Sequence, residues 1–279
     1  MNKLLNLIPL AGLSALLFFC QTNTSSCTKD KTITDTVTKI INDTTIVTDT
    51  IPGVNLKNGL IAYFPFNGNA GDSSGNNNIS TVFGTLQYST DVNNQAASAA
   101  LFDGTSNYIV INDNGSLSPA SITISLQFYA NSSALQEMIG KFNISSNALS
   151  PVWSVAAFGG ANISMDAIEF VALGPSAPCG STDPITPGEL VNTGGPINTN
   201  QWYQLVCTFD QGVEKIYLNG VLKGAETFSY QTLKQCTDAQ LVIGCWYGEG
   251  YHFSGKMDEL RIYNRALNDR EIQTLAKGF

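Results

Sequence analysis

The sequence is poor in charge: 13% of its 279 residues are Asp, Glu, Lys or Arg. Its 14 basic residues are scattered without a cluster and stand against 22 acids, for a formal net charge of −8. A nucleic-acid backbone calls for concentrated Lys and Arg, so that class of partner is excluded. Histidine occurs once, at His252. A Ser-His-Asp triad or a multi-histidine metal centre would have to be assembled around that one side chain, and the plainer reading of His252 is a structural or rim residue. No two cysteines form a CxxC pair, which removes the usual zinc spacing. The close acidic pair on a strand pattern is Asp258-Glu259. Adjacent strand residues point to opposite faces, so the two flanking carboxylates of a glycoside hydrolase are not expected there.

Long unbroken apolar runs are missing too. Residues 4–19 are apolar apart from Asn6, Pro9, Gly12 and Ser14, and Lys3 precedes them. That is the pattern of an export signal and is too short and broken for a comfortable membrane span. Two cysteines follow, Cys20 and Cys27. The stretch around Cys27 (TSSCTKD) resembles the lipoprotein cleavage junction of Bacteroidota, with a serine before the cysteine and Lys-Asp after it. Cys20 follows Phe18 and Phe19 and lacks the small residue that cleavage requires, so Cys27 is the expected lipidation site, with an ordinary secretory signal as the competing reading. The expected organisation is a lipoprotein signal peptide over 1–26, a lipidated and Thr-rich stalk over 27–53, and one folded domain over 54–279. The protein is expected to be exported and anchored by lipid to an outer membrane, facing the periplasm or the cell surface, where disulfides are permitted.

Residues 28–52 (TKDKTITDTVTKIINDTTIVTDTIP) have neither aromatic residues nor glycine and cannot bury a core alone. Extended, such a stretch reaches on the order of 80 Å. The steps at Thr36, Thr44 and Thr50 each follow an Asp and precede a small or branched residue, the pattern of a short O-glycosylation motif of the same bacterial group. Plain β-prone spacer composition accounts for them equally well.

From Val54 onward the pattern changes to short alternating runs divided by turn residues. In residues 122–128 (ITISLQF), Ile122, Ile124, Leu126 and Phe128 fall on one face of a half-buried strand. Asn219-Gly220 separates two strand runs and suits the positive φ angles of a two-residue hairpin turn. Asn268 and Glu271 stand where a capping box opens a helix, expected to run to about Lys277. Many short strands and one terminal helix imply an all-β, two-sheet antiparallel jelly roll. Trp153 and Trp202, in strand runs, are assigned to the core. Of the body cysteines Cys179, Cys207, Cys236 and Cys245, Cys207 reads as a buried small hydrophobe, and spacing does not choose among the three possible pairings.

Four stretches in order carry a family resemblance: 59–75 (GLIAYFPFNGNAGDSSG), 101–111 (LFDGTSNYIVI), 202–210 with 216–224 (WYQLVCTFD, IYLNGVLKG) and 253–267 (FSGKMDELRIYNRAL). Together they resemble a laminin G-like, concanavalin A-like lectin/glucanase domain over almost all of residues 56–279. The resemblance implies fold far more than ligand. It also implies a calcium ion on hard oxygen ligands at the sandwich edge, with Asp72, Asp103 and Asp258 as candidates; the alternatives are Asx turns at Asp72 and Asp103 and an ion pair of Asp258 with Arg261.

Sugars are held by aromatic faces together with amide and carboxylate hydrogen bonds. The loop 245–253 (CWYGEGYHF) places four aromatic side chains among nine residues. Trp246, Tyr247 and Tyr251 are the expected platforms, with Glu249 as polar partner and His252 beside them. The alternative is that these rings close the end of the sandwich as core. A carbohydrate-binding module, taking a polysaccharide or a glycoprotein, is the first functional reading; a protein-binding adhesin or structural surface component is the second, and a glycan-active enzyme the third.

Overall fold

The structure is a computed structural model that describes residues 53–143, 151–159, 164–175, 179, 190–246 and 250–277, together with the backbone of 35–41 and 45–51. Within the Thr-rich segment, β1 (Asp35–Ile41) pairs with β2 (Thr45–Ile51) as an antiparallel hairpin in which Thr36 lies opposite Thr50. Over those residues the expected extended spacer is folded back on itself. Cys27 and Thr44 lie outside the described residues.

The domain then runs through β3 (Leu60–Phe64), β4 (Ser80–Phe83), β5 (Gln87–Ser89), β6 (Ala99–Asp103), β7 (Tyr108–Ile111), β8 (Ile122–Ala130), β9 (Gln136–Phe142) and β10 (Pro151–Phe158). It continues with β11 (Ser164–Met165), β12 (Ala167–Ala172), β13 (Leu190–Asn192), β14 (Ile197–Asn198) and β15 (Trp202–Asp210). The closing elements are β16 (Val213–Leu218), β17 (Val221–Thr227), β18 (Gln240–Ile243), β19 (Ser254–Tyr263) and α1 (Asp269–Lys277). Two antiparallel sheets form a sandwich, as the jelly-roll expectation requires. The seven-stranded sheet has the order β13-β12-β10-β9-β18-β7-β4, and the other has the order β17-β16-β15-β8-β19-β6-β5, with β3 also on β19.

The alternation read from the sequence sets the core. Ile122, Ile124, Leu126 and Phe128 point inward and meet Trp153, Val155 and Phe170 from the facing sheet. Cys207 is fully buried among them and unbridged. The hairpin turn is at Asn219 and Gly220, with φ of 51° and 76°. Helix α1 opens on the expected reciprocal cap: Glu271 N donates to Asn268 Oδ1 at 3.0 Å and Asn268 N to Glu271 Oε2 at 2.8 Å. Its Ile272 and Leu275 pack against Val206, Tyr217 and Tyr263, covering one end of the outer face of the β8-containing sheet. Cys179 is bridged to Cys236, which ties the long segment before β15 to the loop before β18 and leaves Cys245 as a second buried free thiol.

One buried ion pair went unforeseen. Lys141 Nζ reaches Asp113 Oδ2 at 2.5 Å, both side chains being fully buried, and also donates to the Leu117 carbonyl and the Ser118 hydroxyl. It pins the 113–118 loop to β9.

Candidate functional site

The aromatic loop joins β18 to β19 and lies against the start of β9. Gly244 begins it at φ 91°, where a Cβ would stand 2.4 Å from the Phe102 ring, so only glycine fits. Trp246 and Gly250 then exchange backbone hydrogen bonds of 3.1 and 3.2 Å, closing the base of the loop. Tyr247 and Glu249 fall between them, outside the described residues. The Tyr251 carbonyl accepts from Glu137 N at 2.8 Å, which fastens the loop to β9, and the Tyr251 side chain is 44% exposed. Phe253 belongs to the core, edge-on to Phe102 at 6.1 Å.

Trp246 is half-buried and leans on Phe142, with centroids 5.3 Å apart at 49°. The loop is thus divided between the two expectations: Phe253 is packing, whereas Trp246, Tyr251 and His252 stay partly open. His252 tilts against Tyr108 at 6.0 Å, and Tyr108 stacks on Phe83 at 4.7 Å and 3°. Register explains that stack, because Tyr108 and Phe83 are direct cross-strand partners on β7 and β4. Phe83 is 42% exposed. Trp246 and Tyr108 both rest on a small apolar cluster of Val110, Phe142, Val242 and Cys245, on the face of the seven-stranded sheet turned away from the main core. The result is an aromatic strip, Phe83, Tyr108, His252 and Trp246, drawn from β4, β7 and the β18–β19 loop.

Beneath the strip lies a carboxyl group absent from the expected site. Glu137 is 1% exposed, and neither of its oxygens has a hydrogen-bond partner among the described residues. Burial holds its proton on well above the usual carboxylate range, with the nearby Val155 amide opposing it. The Phe142 ring closes it off: a Cβ on Gly140 would meet that ring at 2.4 Å and Glu137 Oε1 at 3.1 Å. Gly140 therefore makes room for the ring. The adjacent Cys245 thiol is pushed up to about 12 by burial and then by Glu137. Trp246 Nε1 and His252 Nδ1 are also buried without a partner among the described residues. Three polar groups around one loop lack hydrogen bonds that buried groups normally make.

Glu169 shares the outer face with Glu137. Both are cross-strand partners of Ala156, one from each side, so their backbones stand about 10 Å apart, two strand spacings. Burial raises the Glu169 carboxyl as well. One of these acids is sealed beneath Phe142, so the pair does not present two open carboxylates to a glycosidic bond.

The three calcium candidates, Asp72, Asp103 and Asp258, are each engaged in bonds of their own. Asp72 accepts from the backbone of Tyr63, Ser74 and Asn78 and from the side chains of Ser74 and Asn78. Burial favours its proton, but these bonds outweigh it and hold the carboxyl below its ordinary range. Asp103 closes a turn through Thr105, Ser106 and Asn107, whose bonds likewise overcome desolvation and lower it. Asp258 is 2% exposed and accepts from Glu259 N. Among the described residues the one trio of candidate metal-binding groups lying close together is Cys179, Cys236 and Asp238, and its two sulfurs are already bonded to each other.

Three expectations about the opposite sheet are corrected. Arg261 pairs with Glu259 at 2.5 Å, the carboxylate that also takes the Tyr63 hydroxyl. Asp258 and Glu259 do not point to opposite faces: a β-bulge between Asp258 and Arg261, with Glu259 at φ 53°, turns both outward. Trp202, assigned to the core, is half-exposed on that same outer face.

Comparison with known proteins agrees with this architecture. The family model described as the concanavalin A-like lectin/glucanases superfamily matches residues 103–273. No curated protein matches the sequence. Domain 4 of AbnA, a GH43 extracellular arabinanase from Geobacillus stearothermophilus solved with arabinotriose, is similar with a TM-score of 0.58 and 25% identity, over 78% of this chain and 98% of that one. The ligand-binding domain of botulinum neurotoxin serotype D, solved with N-acetylneuraminic acid, is similar in fold with a TM-score of 0.57 and 16% identity, over 80% of this chain and 51% of that one. The binding domain of Paraclostridial Mosquitocidal Protein 1 gives 0.58 and 15%, with 80% and 53% covered. Against the toxin domains, the match spans about half of their length.

Proposed function

Because the chain belongs to the concanavalin A-like lectin/glucanases superfamily, we propose that its folded domain is a non-catalytic module that binds carbohydrate through the strip around Trp246. The observation that carries this reading is a half-open tryptophan, whose Nε1 has no acceptor among the described residues, continuous with a stacked and partly exposed Tyr108–Phe83 pair. A sugar ring laid on these faces offers hydroxyls to such a group. Tyr251 extends the strip, and Tyr247 and Glu249 belong to the same loop. Two structures of this fold hold arabinotriose and N-acetylneuraminic acid, which supports a polysaccharide or glycoprotein glycan as the class of ligand.

In this reading the module is carried by an exported protein anchored to the outer membrane through lipid on Cys27. The hairpin segment is its spacer, with Thr36, Thr44 and Thr50 as glycan acceptors. Loss of palmitate labelling in Cys27→Ala tests the anchor. Mass spectrometry of the 28–52 peptide tests the sugars.

The site itself is tested on a glycan array with the full chain, in calcium and in chelator, beside Trp246→Ala. Loss in Trp246→Ala of binding to at least one class of glycan that the wild type takes is expected. Loss in chelator as well would add a calcium ion, with Asp72, Asp103 and Asp258 as its candidate ligands. Silence of the folded protein across a broad array overturns the reading in favour of adhesion to a protein.

A further inference from the structure

The outer face of the eight-stranded sheet carries a second constellation, assembled by register rather than by a loop. Lys256, Tyr129 and Trp202 stand side by side across β19, β8 and β15. One row further along come Asp258, Gln127 and Gln204, and beyond these Arg261, Ser125 and Val206. At Val206 helix α1 takes over the face. The rows change character in that order: half-exposed rings, then buried amides and a carboxylate, then the seat of the helix.

The first row is an open aromatic pair. Tyr129 and Trp202 meet edge to face at 5.8 Å, and Lys256 Nζ lies 5.1 Å from the first ring and 6.0 Å from the second. Lys256 is otherwise held by one long bond, 3.4 Å to Thr90 Oγ1, so it can swing off the rings at small cost. In the second row Gln127 is 5% exposed and its Oε1 has no donor among the described residues. Its neighbour Gln204 spends its amide on Ser125 Oγ and the Leu205 carbonyl. A buried amide oxygen left without a donor is costly, and here it sits directly beside the aromatic row. The bulge that turns Asp258 and Glu259 outward is a device that re-aims side chains at sites. Charge on this face is balanced, with Lys256 and Arg261 against Asp258 and Glu259.

We propose that this face is a second saccharide-binding site that takes an uncharged sugar unit. The apolar side of the ring lies on Trp202 and Tyr129 once Lys256 has moved aside. One hydroxyl donates to Gln127 Oε1, and others engage Lys256 Nζ and the Asp258 carboxylate. The absence of net charge in the rows selects a neutral ring over an acidic one. The site lies on the opposite sheet from Trp246 and stands independently of that strip.

The test uses the full chain in saturation-transfer NMR and calorimetry against neutral trisaccharides (arabinotriose, xylotriose, cellotriose and mannotriose), with N-acetylneuraminic acid as the charged arm. Trp202→Ala is expected to weaken binding of a neutral member about tenfold or more, equivalent to roughly 1.4 kcal/mol, while Trp246→Ala leaves that binding in place. Gln127→Leu is the second variant. It replaces the amide, with its unsatisfied oxygen, by an apolar side chain of similar size, so weaker binding with an unchanged or raised melting temperature is expected, and this separates recognition from misfolding. Binding that is lost in Trp246→Ala but indifferent to Trp202→Ala and Gln127→Leu overturns this site and leaves the first standing. A Trp202-dependent preference for N-acetylneuraminic acid overturns the neutral assignment, and no binding to any member by the folded chain overturns the site altogether.

Discussion

The bridge between Cys179 and Cys236 closes a loop of 57 residues. Closing a loop of that length removes from the unfolded chain an entropy equivalent to about 4 kcal/mol at 25 °C in the chain-entropy account. Cys179→Ser is the clean perturbation. Cys179 is exposed, whereas Cys236 is 2% exposed within the main core, so changing Cys236 would add the cost of burying a hydroxyl. Urea unfolding of the oxidised chain and of Cys179→Ser should give midpoints separated by more than roughly 1 M. Reductant should carry the wild-type curve onto that of the variant and leave the variant where it was. The other thiols do not confuse the comparison, because Cys207 and Cys245 are both buried in the native state. A loss below about 1 kcal/mol would refute the reasoning, as would a reductant effect that persists in Cys179→Ser; either result would mean that the segment before β15 is held by its packing and not by the bridge.

Glu137→Gln should reveal a proton held in the native state. A carboxyl raised on folding stabilises fully below about pH 4.3 and loses that contribution as pH rises through its folded value, so the variant should gain on the wild type by roughly 1 kcal/mol per pH unit above that point, followed by urea unfolding between pH 4 and 8; a flat difference refutes the assignment. Lys141→Met leaves the buried Asp113 charge unpaired and should cost roughly 3–5 kcal/mol in the same assay, with Lys141→Met/Asp113→Asn recovering part. Asp113 is held below its ordinary range because the bonds from Lys141 and Ser118 overcome desolvation, so the stability it supplies is present above about pH 4 and is lost as pH falls through that lowered value. Asn268→Ala removes the acceptor for Glu271 N and should lower stability by about 1 kcal/mol, read as a fall in melting temperature.

What was legible in the sequence was local. Ile122, Ile124, Leu126 and Phe128 show their face by alternation alone, Asn219-Gly220 shows its turn by backbone preference, and Asn268 with Glu271 shows a cap by spacing. The candidate site was legible only in part, because Trp246 and His252 announce themselves in an aromatic-rich loop while their neighbours do not. Phe83 and Tyr108 meet through β4–β7 register, and no spacing in the chain encodes which strands pair. Glu137 reads as an ordinary polar strand residue; what sets it apart is that Phe142 folds back over Gly140 to cover it. The Asp258-Glu259 reading failed for a related reason, since strict alternation assumes a regular strand and β19 is bulged at that point. Trp202 was placed in the core by its strand pattern, yet it occupies the outward positions of β15, in phase with Gln204 and Val206.

Some buried polar atoms without a partner among the described residues lie beside open aromatic rings, and others, such as Asp91 Oδ2 and Gln240 Oε1, lie elsewhere. Two buried charges have their bonding completed: Lys141 has Asp113, Leu117 and Ser118, and Glu271 has Arg265 and Asn268. Groups left without partners cost stability that a marginally stable domain does not carry without return. Glu137, Trp246 and His252 gather around one aromatic strip, and Gln127 lies beside the other aromatic row. If both faces serve packing alone, replacing these groups by apolar residues of the same shape should stabilise the chain and change nothing else. If they serve recognition, the same replacements should stabilise the chain and abolish binding together. Gln127→Leu therefore separates the two accounts for its own face without unfolding the protein.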